Sequence, residues 1–351
     1  MAGNFSRWLS QNRGFATALF LFLALYVGYH IAYEIRFAKG FSSAVLIQNS
    51  NEMVAIGFVA MAQAVVVLSG GLDLSVGAIM TLTSCVASSL LTGSPLQILF
   101  GIVVTLATGT LFGLMNGLIV VYGRIQPIIA TLATGAIALG IALLIRPKPG
   151  GTVDFDVTWS LTNSVWDFVD TYFNADNFDA STWWFIASIP VPFILLFGIA
   201  LGVWIPFKRS ITGRTIYAIG SAEGAAFMSG LPINRAKIAA FTMGGFFAAC
   251  AGLFLTIQTG SGNADIPQAG SYTLLSIAAV VIGGTSLMGG VGGAIGALVG
   301  ALILRVISFY FRILSIDPLL QPLIEGIVLL AAVSFGAVRA LRVKNKLDLF
   351  R

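Results

Sequence analysis

The chain has 351 residues, 57% of them hydrophobic and only 9% charged, with a net charge of +5. Soluble domains carry roughly 25% charged residues, so a soluble fold of this composition would leave broad apolar patches bare, whereas an all-α polytopic membrane bundle would cover them with lipid. The basic residues flank apolar stretches and build no compact basic fold, which excludes a nucleic-acid partner.

A span needs about 20 mostly apolar residues. Ten segments qualify, roughly 15–33, 52–69, 76–92, 97–121, 127–145, 184–206, 237–257, 271–288, 292–311 and 319–338, and they predict one transmembrane domain, 1–351. The first has a basic flank in Arg7 and Arg13. His30, Tyr33, Glu34 and Arg36 follow it, with no small-residue cleavage site, so an uncleaved anchor is expected. The second and third are separated only by Gly70–Ser75, within the run Ser69-Gly70-Gly71-Leu72-Asp73-Leu74-Ser75-Val76-Gly77. An acid at membrane depth is costly and points to function. Asp73 either caps the third helix or, with Ser75, lines a translocation path; the two roles are compatible.

The fourth segment places Gly109, Gly113 and Gly117 on one helix face, a pattern for close helix packing. The fifth opens at Pro127 and carries Thr131 and Thr134. Residues 146–183 form the longest outer segment, a periplasmic loop with six acids (Asp154, Asp156, Asp167, Asp170, Asp176, Asp179) and the aromatic pair Trp183 and Trp184. The acid spacing does not match an EF-hand loop, and a solvated loop with an aromatic belt is expected. Residues 206–237 form a basic, polar, small-residue loop with Lys208, Arg209, Arg214, Arg235 and Lys237 against the single acid Glu223. Such a loop suits the docking of a cytoplasmic partner. The eighth segment supplies Ser276, Thr285 and Ser286, uncharged hydroxyls that suit passage of a neutral hydroxylated solute. Back-bonding of each to its own helix is an equal alternative. The ninth repeats the small-residue face as Gly292, Gly296 and Gly300.

With both termini inside, thirteen Lys and Arg residues fall on the inner side and five (Arg36, Lys39, Arg146, Lys148, Arg312) on the outer, Arg305 lying within a span. That bias supports cytoplasmic N- and C-termini. Cys85 and Cys250 lack any Cys or His neighbour and read as buried small hydrophobes. No G-x-x-x-x-G-K-[ST] motif occurs, so any ATPase belongs to another chain. No triad or metal motif is present, so no catalytic and no metal-binding residue is assigned.

Three stretches carry a family resemblance: GGLDLSVGA at 70–78, TGRTIYAIGSAEGAAFMSGLPINRAK at 212–237, and GGTSLMGGVGGAIGALVGAL at 283–302. They resemble, across roughly residues 50–340, the permease subunit of monosaccharide ABC importers of the ribose, xylose and galactose type. The resemblance implies a type II-like bundle in the bacterial inner membrane, pairing with a second permease copy, either the same chain or a paralogue. It implies a double-cassette cytoplasmic ATPase, which would bind ATP and Mg while this chain holds no cofactor, and a periplasmic sugar-binding protein. It also implies that residues 221–230 form a coupling helix. Thr212, Gly213, Arg214 and Tyr217 would lead into it. Ser221, Ala222, Gly224, Ala225, Ala226, Ser229 and Gly230 would seat in the ATPase, with Arg214 and Glu223 at the rim. Three alternatives stand beside this reading: an autonomous secondary carrier, a membrane-embedded lipid transferase, and an importer of the same family for a nucleoside or furanose signal.

Overall fold

The structure is a computed structural model that describes residues 13–38, 42–173 and 184–317, with isolated positions as far as 334. Every regular element among the described residues is a helix. Helix α1, Arg13–Phe37, turns Phe20, Leu23, Val27 and Ile31 outward. Helix α2, Ser43–Leu68, is buried without a gap from Met53 to Leu68. Both are apolar around their circumference over much of their length, Phe15–Val27 in α1 and Met53–Leu68 in α2 apart from Gln63. Such a helix lies either in a core or against lipid; α2 takes the first place and α1 the second.

Helix α3, Val76–Leu90, follows the break Gly70–Ser75. At 1.5 Å per residue its 15 residues reach about 22 Å, short of a hydrocarbon core of roughly 30 Å. Helix α4, Pro95–Tyr122, opens on a capping box between Ser94 and Gln97. Helix α5 spans Pro127–Ile145, with Pro127 at its first turn. The outer segment then forms two short helices, α6 (Phe155–Thr162) and α7 (Val165–Phe173). Asp154 caps α6, and Asp167 accepts from the Ser164 backbone N–H, so two of the clustered acids serve helix starts. Asp176, Asp179 and Trp183 lie outside the described residues.

A four-residue helix α8, Trp184–Ala187, precedes α9, Val191–Arg209. The expected sixth span therefore divides before Pro190, whose ring lacks the N–H a helix interior needs. Helix α10, Ile211–Met228, occupies most of the expected 206–237 loop. Helices α11 (Ile233–Thr259), α12 (Ile266–Ile282) and α13 (Ala294–Ile313) complete the described chain. Most of the expected tenth span, 319–338, lies outside the described residues. Seven described helices are long and apolar enough to cross a membrane: α1, α2, α4, α5, α9, α11 and α13. The chain is a multi-pass membrane protein.

Glycine sets the closest helix approach. A Cβ at Gly113 would stand 2.3 Å from Phe241 O and 2.9 Å from Gly245 Cα, and one at Gly109 would stand 2.6 Å from Ala249 Cβ. Gly117 meets the α11 backbone at Ile238 in the same way. The face 109/113/117 is thus the seam between α4 and α11, the most extensive pairing among the described helices. The second glycine face divides. Gly296 and Gly300 pack on Gly283 and Ala279 of α12, but Gly292 precedes α13 and adopts φ 113°. The expected run of three on one helix face is therefore two glycines on the helix and one in the turn before it.

Candidate functional site

Helices α9 and α11 meet α10 at the end of the bundle that carries Lys208, Arg209, Arg214, Arg235 and Lys237. Ser210 begins α10 by accepting from Gly213 N–H at 3.1 Å. Gly213 lies against the end of α9, where a Cβ would stand 2.2 Å from Phe207 O. Thr215, Ile216 and Ile219 are buried, while Thr212 is half-buried and Arg214 exposed. The Tyr217 hydroxyl donates to Gly292 O at 2.9 Å, and the Lys208 ammonium lies 5.5 Å over its ring. Burial pushes the Tyr217 phenol up to about 12, so it remains a donor at any ordinary pH. One turn on, a Cβ at Gly220 would stand 2.1 Å from Leu68 O and 2.2 Å from Gly290 N. Gly290 N–H in turn donates to Leu68 O at 3.1 Å. The end of α2 and the break between α12 and α13 therefore converge on one residue of α10.

The helix then breaks at Ala222, which is extended at φ −164°, ψ 95°. Residues 223–228 resume as a short second helix. Ser221, Ala222, Glu223, Gly224 and Ala225 are exposed, and Ala226 is buried. Ser229 closes the helix, and Gly230 follows at φ 73°. Gly230 N–H donates to Phe227 O at 2.9 Å and Leu231 N–H to Ala226 O at 3.2 Å, the two bonds of a Schellman stop. Sequence reasoning passed over Phe227 and Met228, which are 71% and 84% exposed at the tip of this hook. Glu223 pairs with Lys237 at 2.6 Å, tying the hook to the start of α11. Both groups are partly exposed, so the pair contributes at most about 1 kcal/mol.

Asp73 is fully buried in the first break. Its Oδ1 accepts from Ser75 N–H at 2.8 Å and from Ser75 Oγ at 2.5 Å. Ser75, not Asp73, occupies the cap position of α3 and makes no side-chain cap bond, so the carboxylate shapes the turn before the helix. Asn116 Nδ2 of α4 donates to Ser75 Oγ at 2.8 Å, and Leu74 N–H donates to Thr131 Oγ1 of α5 at 2.9 Å. Gly77 N–H donates to Thr273 Oγ1 of α12 at 3.1 Å. Asn116 and Thr273 were not among the expected site residues; as isolated polar groups inside apolar spans, they carry no local pattern.

The expected path residues do not gather at one place. Asp73, Ser75 and Thr131 share the first break. Thr134 and Ser276 donate to carbonyls of their own helices, Ala130 at 3.1 Å and Thr273 at 2.6 Å. Thr285 and Ser286 hold the second break together: Thr285 Oγ1 accepts from Gly293 N–H at 3.1 Å, and Ser286 Oγ from Met288 N–H at 3.2 Å. Among the described residues, no group of three His, Cys, Asp or Glu could hold a metal ion. Both free cysteines are buried.

Residues 46–333 match the family described as branched-chain amino acid transport system / permease component. The chain is 37% identical over 287 residues to the ribose import permease protein RbsC of Haemophilus influenzae, covering 81% of this chain and 80% of that one. It is 35% identical to RbsC of Escherichia coli K12, with 81% of each chain covered. To the autoinducer 2 import system permease protein LsrD of Escherichia coli it is 27% identical, with 82% of each covered. No solved structure matches the chain.

Proposed function

The chain belongs to this permease family, and we propose that it is the membrane subunit of an ATP-driven importer for a monosaccharide or related small polyhydroxy solute. A separate double-cassette ATPase docks on the hook at 223–228, and a periplasmic binding protein delivers the solute to the opposite end. A second permease, this chain or a paralogue, completes the pathway in the inner membrane. The observation that carries the reading is the likeness to ribose import permeases over four fifths of both chains. The basic end supports an inside placement, because cations collect on cytoplasmic loops.

The geometry supplies a route for the stroke. A partner that pushes 223–228 moves α10 through the break at Ala222. Gly220 and Tyr217 sit against the end of α2 and the second break, so displacement of α10 reaches both. The solute then passes inward as access alternates, and selectivity rests mainly on the binding protein.

Pull-down of the tagged chain from solubilised native membranes, with mass spectrometry of what accompanies it, tests this reading. A double-cassette ATPase should be recovered from wild type and lost from Gly224→Trp. Gly224 is exposed, and a Cβ there meets nothing within 4 Å, so the variant obstructs docking without crowding the bundle. Purification of the chain alone, together with ATP-independent solute movement in proteoliposomes, would replace the importer with a secondary carrier. The likeness to LsrD favours a second reading in which the solute is a signalling molecule such as autoinducer 2. Competition between ribose and autoinducer 2 during ATP-driven uptake separates the two.

A further inference from the structure

A cavity between the start of α1 and the end of α9 takes no part in the docking described above. Its volume is about 610 Å³. Lys208, Arg209 and Arg214 line it, with Phe15 and Trp204 among its apolar residues and glycine backbone from both sides of the second break. Among the described residues, no carboxylate pairs with any of the three cations. All three are exposed to solvent, and three like charges lining one cavity favour an anionic occupant. The α13 start adds to this: it has no side-chain cap, and Gly293, Ile295 and Gly296 of that turn line the cavity. Gly293 N–H is taken by Thr285 Oγ1, and the helix start after it carries partial positive charge.

The surroundings define the rest of the occupant. The cavity is bounded by α1, an apolar helix of membrane-spanning length whose outward residues Phe20 and Leu23 are 75% and 52% exposed. Residues 223–228 lie past the break at Ala222 and do not line it. An occupant that reaches this place from the lipid carries an anionic head and an apolar tail. Basic pockets between spans on the cytoplasmic side are suited to phospholipid headgroups.

We propose that this cavity binds the headgroup of an anionic phospholipid, with its phosphate among Lys208, Arg209 and Arg214 and its chains along α1. Only the assignment to the cytoplasmic leaflet rests on the orientation proposed above. Because Lys208 also lies over the Tyr217 ring, the bound headgroup stands beside the Tyr217–Gly292 contact.

Native mass spectrometry of the full chain from mixed micelles tests this, with phosphatidylglycerol or phosphatidylcholine added at equal concentration. Wild type should retain phosphatidylglycerol at least tenfold more than phosphatidylcholine. The triple variant K208Q/R209Q/R214Q should lose that preference, and the single variant R209Q should weaken it, covering the case in which the triple variant fails to fold. The control R124Q/R235Q removes two cations of the same end outside the cavity and should retain the lipid as wild type does. Inorganic phosphate at millimolar concentration should not displace the lipid; displacement would assign the cavity to free phosphate. Equal retention of both lipids by wild type, undiminished retention by the folded triple variant, or equal loss in the control overturns the proposal. So does loss of ATPase recovery in the triple variant with lipid retention intact, since the cations would then serve the ATPase.

Discussion

Gly113 and Gly224 make a matched pair of alanine substitutions that isolates the packing of the α4–α11 seam. Gly113 lies inside α4, where alanine gains up to about 1 kcal/mol of helix propensity, and Gly224 lies in the first turn of the short helix after Ala222, where the gain is smaller. The surroundings differ. A Cβ at Gly113 would stand 2.3 Å from Phe241 O and 2.9 Å from Gly245 Cα, whereas one at Gly224 meets nothing within 4 Å. Both obstructing atoms at Gly113 are backbone, so no rotamer relieves them. Restoring a separation of roughly 3 Å moves the two helices apart by about 0.7 Å, and overpacking of this kind costs about 1–3 kcal/mol. The propensity gain at Gly113 is at least as large as at Gly224, so their difference sets a lower bound on the packing cost. At about 2 °C per kcal/mol for a chain larger than 150–250 residues, Gly113→Ala should melt about 2–6 °C below Gly224→Ala. The assay is fluorescence-detected gel filtration after a heat step in detergent. Gly245→Ala meets Gly109 O at 2.2 Å and Gly113 Cα at 2.8 Å, so it obstructs the same seam. The double variant Gly113→Ala/Gly245→Ala should lose less than the sum of the singles, because the helices are already displaced. Equal melting of Gly113→Ala and Gly224→Ala would refute the reasoning and leave that face of α4 free of α11.

Three further outcomes follow from the same contacts. Tyr217→Phe removes the hydroxyl bonded to Gly292 O and should cost about 1 kcal/mol; with the ATPase bound, hydrolysis should persist while transport falls, and normal transport would remove Tyr217 from the coupling route. Asp73→Ala leaves the Ser75 N–H and hydroxyl without their acceptor and should cost about 1–3 kcal/mol, whereas Asp73→Asn keeps an oxygen in place and should be milder; equal melting temperatures would show that the carboxylate does not hold the turn. Gly230→Ala forces a Cβ residue into φ 73° with open space around it, so it should loosen the stop at about 1 kcal/mol of backbone strain. Normal ATPase recovery and an unchanged melting curve would mean that the Schellman stop does not shape the hook.

Seven of the ten expected segments carry a described helix long and apolar enough to cross, because lipid makes composition a strong signal, whereas the third and eighth carry shorter apolar helices, Val76–Leu90 and Ile266–Ile282. The α4 glycine face was legible for a related reason, since helices in lipid associate where small residues let backbones meet. Gly292 was misplaced by the same pattern. Residues spaced by four share a face only if a helix already covers all of them, and the helix here begins at Ala294. The break at Ala222 falls on a good helix former between Gly220 and Gly224, so the sequence does not place it; it arises where α10 leaves the bundle, after Gly220 has packed on Leu68 and Gly290. The first break shows why local patterns stop short of the site. Asp73 and Ser75 stand two residues apart and could be seen together, but the groups that finish the node come from afar. Ser75 meets Asn116 across 41 residues, Leu74 meets Thr131 across 57, and Gly77 meets Thr273 across 196. A lone Thr inside an apolar helix looks the same whether it only back-bonds to its own turn, as Thr134 does, or back-bonds and also accepts from a distant N–H, as Thr273 does. Only the packing of α3, α4, α5 and α12 distinguishes them, so the node becomes legible once the bundle exists.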